Sequence, residues 1–99
     1  MKVYWTDKAR TRLREIEQRI ASESPLVASR VMQRILHRSR RIGELPHSGR
    51  RFPEFERDDI REILVRPYRI IYLLRVDGID VLTVRHYREL LPEDPRQAR

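Results

Sequence analysis

Apolar and polar positions divide the chain into a helical first half and a strand-rich second half. Apolar residues recur every three or four positions over residues 7–22 and again over residues 25–42, which is typical of amphipathic helices. Shorter runs that alternate, or that are rich in β-branched and aromatic residues, predict strands. The predicted strands are residues 2–6, 61–66, 68–76 and 79–86. The predicted order is therefore strand, helix, helix, strand, strand, strand.

Capping residues indicate where the two helices begin and end. Thr6 and Ser24 are preferred N-cap residues, and Pro25 is tolerated at the first helical position because its missing N–H has no helical partner there. Gly43, just after the second helix, is predicted to be its C-cap. Since the linker between the helices is very short, they are expected to form an antiparallel hairpin.

The dipeptide Asp77-Gly78 separates the last two β-type runs and predicts a two-residue hairpin turn, in which both residues have φ > 0. If Val76 pairs with Ile79, then Arg75 lies opposite Asp80. An opposite-charge pair across two strands supports this register. It places on one face the apolar residues Leu73, Leu82, Ile71 and Val84.

A basic cluster is predicted at the open end of this hairpin. The register pairs Arg69 with His86 and places Arg88 one step further along the same face. Two guanidiniums and an imidazole suit a phosphate or a carboxylate, because Arg offers bidentate charged donors and His can carry a proton near neutral pH. The alternative is that all three are solvated at a frayed sheet end. Substitution of a solvated Arg69 is expected to leave the fold nearly intact, whereas a large loss of melting temperature would indicate a structural residue bonded to the loop or to a carboxylate such as Glu62.

The apolar stripes of the two amphipathic helices must pack against a sheet, so the pattern predicts a two-layer α+β domain of order β-α-α-β-β-β. The helical hairpin would pack on a small antiparallel sheet, in which residues 63 and 65 face one side and residues 62 and 64 the other. Residues 44–59, broken by prolines and Gly49, are predicted to form a loop. Residues 1–92 would form this single domain, and the polar residues 93–99 a flexible tail.

The composition indicates a basic protein and argues against metal sites, cofactor sites and membrane-spanning segments. Among 99 residues, 22 are Lys or Arg and 15 are Asp or Glu, for a formal net charge of +7, which attracts polyanions or an acidic protein. There is no cysteine, and the three histidines lack close paired spacing, so no metal or cofactor is expected. No apolar run has the length of a membrane span, and a soluble cytoplasmic protein is expected.

Two groups of arginines are candidates for contact with a protein partner or a nucleic acid. On the second helix, four arginines and His37 follow helical spacing with no acidic residue among them. In the loop, two further arginines lie beside Phe52 and Phe55. The plainer interpretation is a solvated helix face and a loop that its Phe residues pin to the core. The candidate arginines are Arg30, Arg34, Arg38, Arg41, Arg50 and Arg51.

Several motifs are spread over residues 3–92. They are V-x-W-T leading into A-x-x-x-L-x-x-I, S-P-x-x-A, L-P-H-S-G-R-R-F-P-E, R-E-I-L-V-x-P-Y-R-I-I-Y and V-L-T-V-R-H-Y-R. Together they resemble the RelE/ParE superfamily of type II toxin–antitoxin toxins. The resemblance implies the same order of strands and helices as the periodicities, and the helical hairpin and the P-x-x-G-R-x-x-P-E loop are more similar to the ParE branch.

The resemblance implies one of two activities. ParE-like members poison DNA gyrase without being nucleases, whereas RelE-like members are ribosome-dependent mRNA endonucleases. In the RelE-like case Arg69 and Arg88 match catalytic arginines, and His86 or Tyr87 would transfer protons. The RelE lysines before the Y-R strand are replaced by residues 62–64, and no tyrosine follows Arg88. Gyrase inhibition is therefore the preferred interpretation, and mRNA cleavage is the alternative.

The resemblance also implies partners. A cognate antitoxin is expected to bind as an acidic, extended chain to a basic groove beside an exposed sheet edge. The resemblance is also compatible with a homo-oligomer that assembles through the antitoxin, and it implies a role in plasmid stabilisation. The further partner is DNA gyrase or, alternatively, the ribosome with its mRNA, and no membrane is involved.

Overall fold

Residues 1–51 and 57–86 are described in the computed structural model, and this part of the chain contains two helices and five strands. The helices are α1 (Asp7–Ala21) and α2 (Pro25–Glu44). The strands are β1 (Lys2–Trp5), β2 (Arg50–Arg51), β3 (Ile60–Val65), β4 (Tyr68–Leu74) and β5 (Gly78–His86). The predicted α+β class is confirmed. The short strand β2 lies within the segment that was predicted to be only a loop.

Both helices begin after a side-chain N-cap, as predicted. The Thr6 hydroxyl accepts a hydrogen bond from the Ala9 N–H at 3.1 Å, and the Ser24 hydroxyl accepts one from the Val27 N–H at 3.2 Å. Each bond satisfies an N–H group that the first helical turn leaves without a backbone partner. The Thr6 hydroxyl also donates to the Val81 carbonyl at 3.0 Å. The start of α1 is thereby attached directly to β5.

The prediction for Gly43 is wrong, because α2 continues through this residue to Glu44 and Leu45 is its C-cap. A Cβ atom at position 43 would lie 2.5 Å from the Met1 carbonyl oxygen. The Met1 ammonium group also donates to the Gly43 carbonyl at 2.9 Å. Glycine is therefore needed where the start of the chain approaches the last turn of α2, and not for a cap.

The strand order in the sheet is β1-β5-β4-β3-β2, and the sheet is mixed. The pairs β5–β4, β4–β3 and β3–β2 are antiparallel, whereas β1 pairs with β5 in parallel. The expectation of a purely antiparallel sheet is therefore wrong at this one edge. Tight connections impose antiparallel pairing on neighbouring strands. No tight connection joins β1 to β5, so the periodicity of the sequence does not reveal their direction.

The predicted register of the last hairpin is also wrong. Tyr68 pairs with His86, and after a shift between Ile71 and Tyr72 the last pair before the turn is Leu74 with Ile79. Residues 75–77 separate the two strands, and none of the described glycines has a positive φ. An irregularity at the shift and a longer turn therefore replace the two-residue Asp-Gly turn.

The predicted charge pair forms despite the different register. The Arg75 Nε atom lies 3.0 Å from the Asp80 Oδ2 atom, and its Nη1 atom lies 3.0 Å from the Asp77 Oδ1 atom. Long side chains reach diagonal neighbours across a sheet, so this ion pair does not require that the two residues lie directly opposite each other. The pair was correct, and the register inferred from it was not.

The main core lies between the helical hairpin and one face of the sheet. Ile16, Ile35 and Ile42 of the helices pack against buried strand residues such as Ile70 and Val84. Burial of one such side chain contributes about 1.5–3 kcal/mol. Ile63 and Val65 face this core, as predicted. Ile60 and Ile71 form a second, smaller cluster with Leu73 and Leu82.

Neither helix combines the length and apolar character that would be needed to cross a membrane. The predicted tail and the final residues of the predicted domain lie outside the described residues.

Candidate functional site

Most of the predicted site residues fall into three groups, and His86 of β5 and Arg51 of β2 lie outside them. Arg69 and Arg50 belong to a cluster around Glu62, which is called the Glu62 cluster below. The candidates on α2 lie on the exposed side of the helical hairpin. Tyr87, Arg88, Phe52 and Phe55 lie outside the described residues.

Glu62 is the centre of the first group. It is only 1% exposed, and both of its carboxylate oxygens are bonded to arginines. Its Oε1 atom accepts a hydrogen bond from Arg69 Nε at 2.7 Å, and its Oε2 atom accepts one from Arg50 Nε at 2.5 Å. Strands β2, β3 and β4 are adjacent, so residues from three strands meet on one face of the sheet. A buried carboxylate would be very costly without such partners.

Arg69 is a buried residue and not a solvated one. It is 6% exposed and contacts Glu62, whereas the predicted register placed it at an open sheet end. The expectation that its substitution leaves the fold nearly intact is therefore withdrawn. Removal of one partner of a buried ion pair leaves the other charge without compensation, which is strongly destabilising.

The predicted contact between Arg69 and His86 does not form. Tyr68 lies directly opposite His86, so these two side chains share a face of the sheet. Their rings meet edge to face, with centroids 5.5 Å apart and planes at 85°. Because successive residues of a strand point to opposite faces, Arg69 lies on the other face. The one-residue error in register is the reason that the predicted cluster is not assembled.

Tyr72 connects two of the sequence motifs. Its hydroxyl accepts a hydrogen bond from the Gly49 N–H at 3.0 Å and donates one to the Pro46 carbonyl at 2.9 Å. It therefore holds both ends of the P-x-x-G turn. Burial raises the pKa of Tyr72 above its ordinary value, and the hydrogen bond from Gly49 partly opposes this effect.

Gly49 is required by this arrangement. A Cβ atom at position 49 would overlap the Tyr72 hydroxyl and lie 2.7 Å from the Glu62 carbonyl oxygen. The Gly49 carbonyl also accepts a hydrogen bond from Arg61 Nη1 at 3.0 Å. The loop motif and the β4 motif therefore describe one packed unit. The motif residues in this unit, which contribute to the family resemblance, stabilise the fold through these hydrogen bonds.

The candidates on α2 form a second, different group. Arg30 and Arg38 are exposed, and neither has a carboxylate partner among residues 1–51 and 57–86. Arg34 is also exposed, and it donates through Nη2 to the Arg66 carbonyl oxygen at 2.7 Å. Its charge is oriented by this bond but not neutralised.

Two shallow depressions join these arginines into one surface. The first has a volume of about 590 Å³ and is lined by Arg30, Gln33, Arg34, His37 and Arg40. The second has a volume of about 400 Å³ and is lined by Arg34, His37, Arg38, Leu64, Val65 and Arg66. We define the arginine face as Arg30, Arg34, Arg38, Arg40 and Arg66, with His37 between them.

The other three predicted binding arginines are paired with carboxylates. Arg41 lies 3.4 Å from Glu44, Arg51 lies 3.0 Å from Asp58, and Arg50 is bonded to Glu62. The arginine face instead includes two residues that the prediction missed. Arg40 lies within α2, three residues after His37, and a helical projection places the two side by side, so Arg40 could have been predicted. Arg66 is brought there only by the fold.

The comparison with known families decides between the candidate identities. The family described as "ParE toxin of type II toxin-antitoxin system, parDE" matches residues 3–91. The chain belongs to this ParE toxin family. The match confirms the resemblance to the superfamily and to its ParE branch.

A solved structure shares the fold of this ParE-family chain. It is titled "Chromosomal ParDE TA system from P. aeruginosa", and it superimposes with a TM-score of 0.73 at 22% sequence identity. The alignment covers 87% of this chain and 95% of that one. At this identity the likeness shows the fold alone. No curated protein sequence matches the chain.

The ParE family implies an antitoxin as partner, since its description names a two-component system. Within the described residues, no group of three or more His, Asp or Glu side chains is arranged to hold a metal ion. What the arrangement offers chemically is a fixed scaffold around Glu62 and an exposed, positively charged surface on α2.

Proposed function

We propose that the protein is a toxin that inhibits DNA gyrase and that a cognate antitoxin holds inactive in the cytoplasm. Membership of the ParE family supports this proposal, because ParE-like toxins act on gyrase and not on messenger RNA. The proposal concerns inhibition through binding. It assigns no chemical step to the chain itself.

The observation that carries the choice is the burial of Arg69 against Glu62. A ribonucleolytic mechanism of the RelE type needs cationic groups that contact the phosphate as negative charge develops. Arg69 is 6% exposed and donates to a carboxylate at 2.7 Å, so it would have to leave this partner to reach a phosphate. His86, the predicted proton-transfer group, lies on the opposite face of the sheet. Both facts favour the gyrase inhibitor over the nuclease.

A pair of parallel assays tests the choice. Purified toxin is added to a gyrase supercoiling reaction and, at equal concentration, to a translating extract with a labelled messenger. We expect loss of supercoiling and trapped, cleaved DNA, with the messenger intact. Codon-phased cleavage of the messenger with unaffected gyrase would overturn the proposal.

A substitution of His86 sharpens the same test. His86→Gln should leave gyrase inhibition within about twofold of the wild type, because no proton transfer is involved. A nuclease that used this imidazole would lose roughly two or more orders of magnitude in rate. The substitution His47→Gln, at an exposed position of the P-x-x-G turn, is a matched control that also replaces an imidazole. A large loss of gyrase inhibition for His86→Gln, with the fold intact, would mean that His86 contacts the target.

The antitoxin is proposed to be an acidic chain, because the toxin carries a net charge of +7. Expression of the toxin alone should arrest growth with filamentation and a DNA-damage response. Co-expression with the antitoxin should restore growth. Normal growth with folded, soluble toxin at the level found in the complex would contradict the proposal.

A further inference from the structure

The arginine face carries positive charge that no carboxylate in the described residues balances. We propose that it binds the phosphate backbone of duplex DNA, so that the toxin recognises gyrase that is already engaged on DNA. The choice of duplex DNA over other phosphate polymers rests on the proposed function. The binding surface itself is inferred from charge, geometry and the side chains around it.

The charge of α2 differs from that of its neighbouring helix. From Pro25 to Gly43 the sequence of α2 contains no acidic residue. In α1, by contrast, acidic residues are interleaved with basic ones, and Arg10 pairs with Asp7 at 3.1 Å and Arg12 with Glu15 at 3.5 Å. A helix surface that lacks such internal pairs attracts polyanions more strongly and gains counterion release when it binds them.

The arginine face extends along α2 over a length that fits several phosphates of a polyanion. Arg30 and Arg40 are ten residues apart on one helix, which corresponds to about 15 Å at 1.5 Å per residue. Duplex DNA presents one phosphate for about every 1.7 Å of its axis, so several phosphates lie within that span. Arg34 is already oriented by its 2.7 Å bond to the Arg66 carbonyl. One guanidinium group can donate two parallel hydrogen bonds to a phosphate, which adds geometric specificity to the attraction between the charges.

The side chains around the first depression argue against a protein partner. Among the described residues it is lined by Arg30, Gln33, Arg34, His37 and Arg40, none of which has an apolar side chain. The buried centre of a protein interface is usually apolar and depleted of charge. Interfaces with DNA are more polar and much more positively charged. The composition of this depression therefore fits DNA better than an antitoxin chain, whereas the second depression also includes Leu64 and Val65 at its edge with β3.

The same residues argue against a single-stranded nucleic acid. Proteins that bind single strands without sequence preference use aromatic side chains on which successive bases stack. Within residues 1–51 and 57–86, no aromatic ring of Phe, Tyr or Trp lines either depression on the arginine face. Contacts made only by guanidinium groups would read the backbone and not the bases. Binding should therefore be independent of sequence and strongly dependent on salt.

The test compares two triple variants that lose the same charge. One is Arg30→Gln, Arg38→Gln and Arg40→Gln on the arginine face. The other is Arg10→Gln, Arg14→Gln and Arg19→Gln on the exposed side of α1. Binding of the full chain to a short fluorescein-labelled DNA duplex is followed by anisotropy from about 50 to about 200 mM salt. Circular dichroism melting confirms that each variant is folded.

We expect the wild type to bind with a log–log salt slope of about −3 to −5, since each phosphate contact contributes about −0.9. The arginine-face variant should bind at least about tenfold more weakly, with a slope that is shallower by about three. The α1 variant should bind within about twofold of the wild type. The charge-preserving variant Arg30→Lys, Arg38→Lys and Arg40→Lys should retain most of the slope, and it provides a second measurement if the glutamine variant does not fold.

Four results would overturn the inference. They are equal losses in the two glutamine variants, tighter binding to an RNA duplex of the same sequence, no detectable DNA binding by the wild type at low salt, and loss of antitoxin binding instead of DNA binding in the arginine-face variant. Supercoiling assays with the same samples separate this inference from the proposed function. Gyrase inhibition without DNA binding refutes only the inference, whereas DNA binding without gyrase inhibition refutes only the proposed function.

Discussion

The Glu62 cluster and the arginine face are both rich in arginine, but their surroundings give these residues opposite roles. In the Glu62 cluster, Arg69 is buried and contacts a carboxylate that is only 1% exposed. On the arginine face, Arg30 and Arg38 are exposed and have no carboxylate partner among the described residues. The comparison teaches that the position of one acidic residue decides whether an arginine stabilises the fold or is available to a partner.

The largest effect is expected when the buried cluster loses its acid. Glu62→Gln leaves the buried charge of Arg69 without compensation, and it should lower the free energy of unfolding by about 3–5 kcal/mol. Urea denaturation monitored by circular dichroism measures this change. Glu44→Gln, which breaks the exposed pair with Arg41, is the matched control and should cost at most about 1 kcal/mol. Equal effects of the two substitutions would mean that burial does not distinguish the clusters.

Removal of both buried charges should be milder than removal of one. Arg69→Met alone should cost about 3 kcal/mol, because it leaves the buried Glu62 carboxylate with Arg50 as its only partner among the described residues. The double variant Arg69→Met with Glu62→Leu should recover most of this loss, since apolar residues of similar volume often replace a buried ion pair without cost. A double-mutant cycle in urea measures the coupling. Additive losses would contradict a direct contact between the two side chains.

A smaller effect is expected at Tyr72, which supports the turn beside the cluster. Tyr72→Phe removes the hydrogen bonds to Gly49 and Pro46 and should cost about 1–2 kcal/mol. The raised pKa adds a pH dependence. The folded state holds the neutral phenol, so its stabilising effect is complete below the unfolded pKa of about 10 and is lost as the pH rises through the folded value.

Melting temperatures measured at increasing alkaline pH test this dependence. The wild type should lose stability more steeply than Tyr72→Phe above a pH of about 10. Tyr4→Phe is the control, because Tyr4 is 47% exposed. If Tyr4→Phe flattened the alkaline loss as much as Tyr72→Phe did, the buried phenol would not be its source.

The smallest effect on stability is expected on the arginine face. Substitution of Arg30, Arg38 and Arg40 by Gln should change the free energy of unfolding by no more than about 0.5 kcal/mol per residue, because these side chains are exposed and unpaired within the described part of the chain. Urea denaturation provides the measurement. A loss as large as that of Glu62→Gln would show that these arginines also have a structural role.

Local features of the fold could be predicted from the sequence, because their causes lie within a few residues. The helix caps at Thr6 and Ser24 were predicted correctly, as were the two sides of β3. The role of Gly43 was missed because it depends on the approach of Met1. The hairpin register was missed because a shift within the strands moves every later pair.

The candidate site was less predictable than the fold. Arg69 was identified as a key residue, but the preferred interpretation placed it in solvent, and a bond to Glu62 was only the alternative. A glutamate in an alternating strand normally indicates an exposed face. It is buried here because β2 and β4 bring arginines to it from both sides, and no local pattern reveals that arrangement. For Arg30, Arg34 and Arg38, helical spacing was sufficient to place them on one surface.

The parallel pair of β1 and β5 has a consequence for synthesis of the toxin on the ribosome. Residues 2–5 cannot pair until residues 78–81, which follow them by 76 positions, have also left the ribosome. The helical hairpin contains only local contacts and can form earlier. Because β5 lies between β1 and β4, a chain that stops before it leaves β1 without a partner strand and exposes one edge of β4. Premature termination should therefore release an unfolded fragment and not a partly active toxin, and proteolysis would remove it.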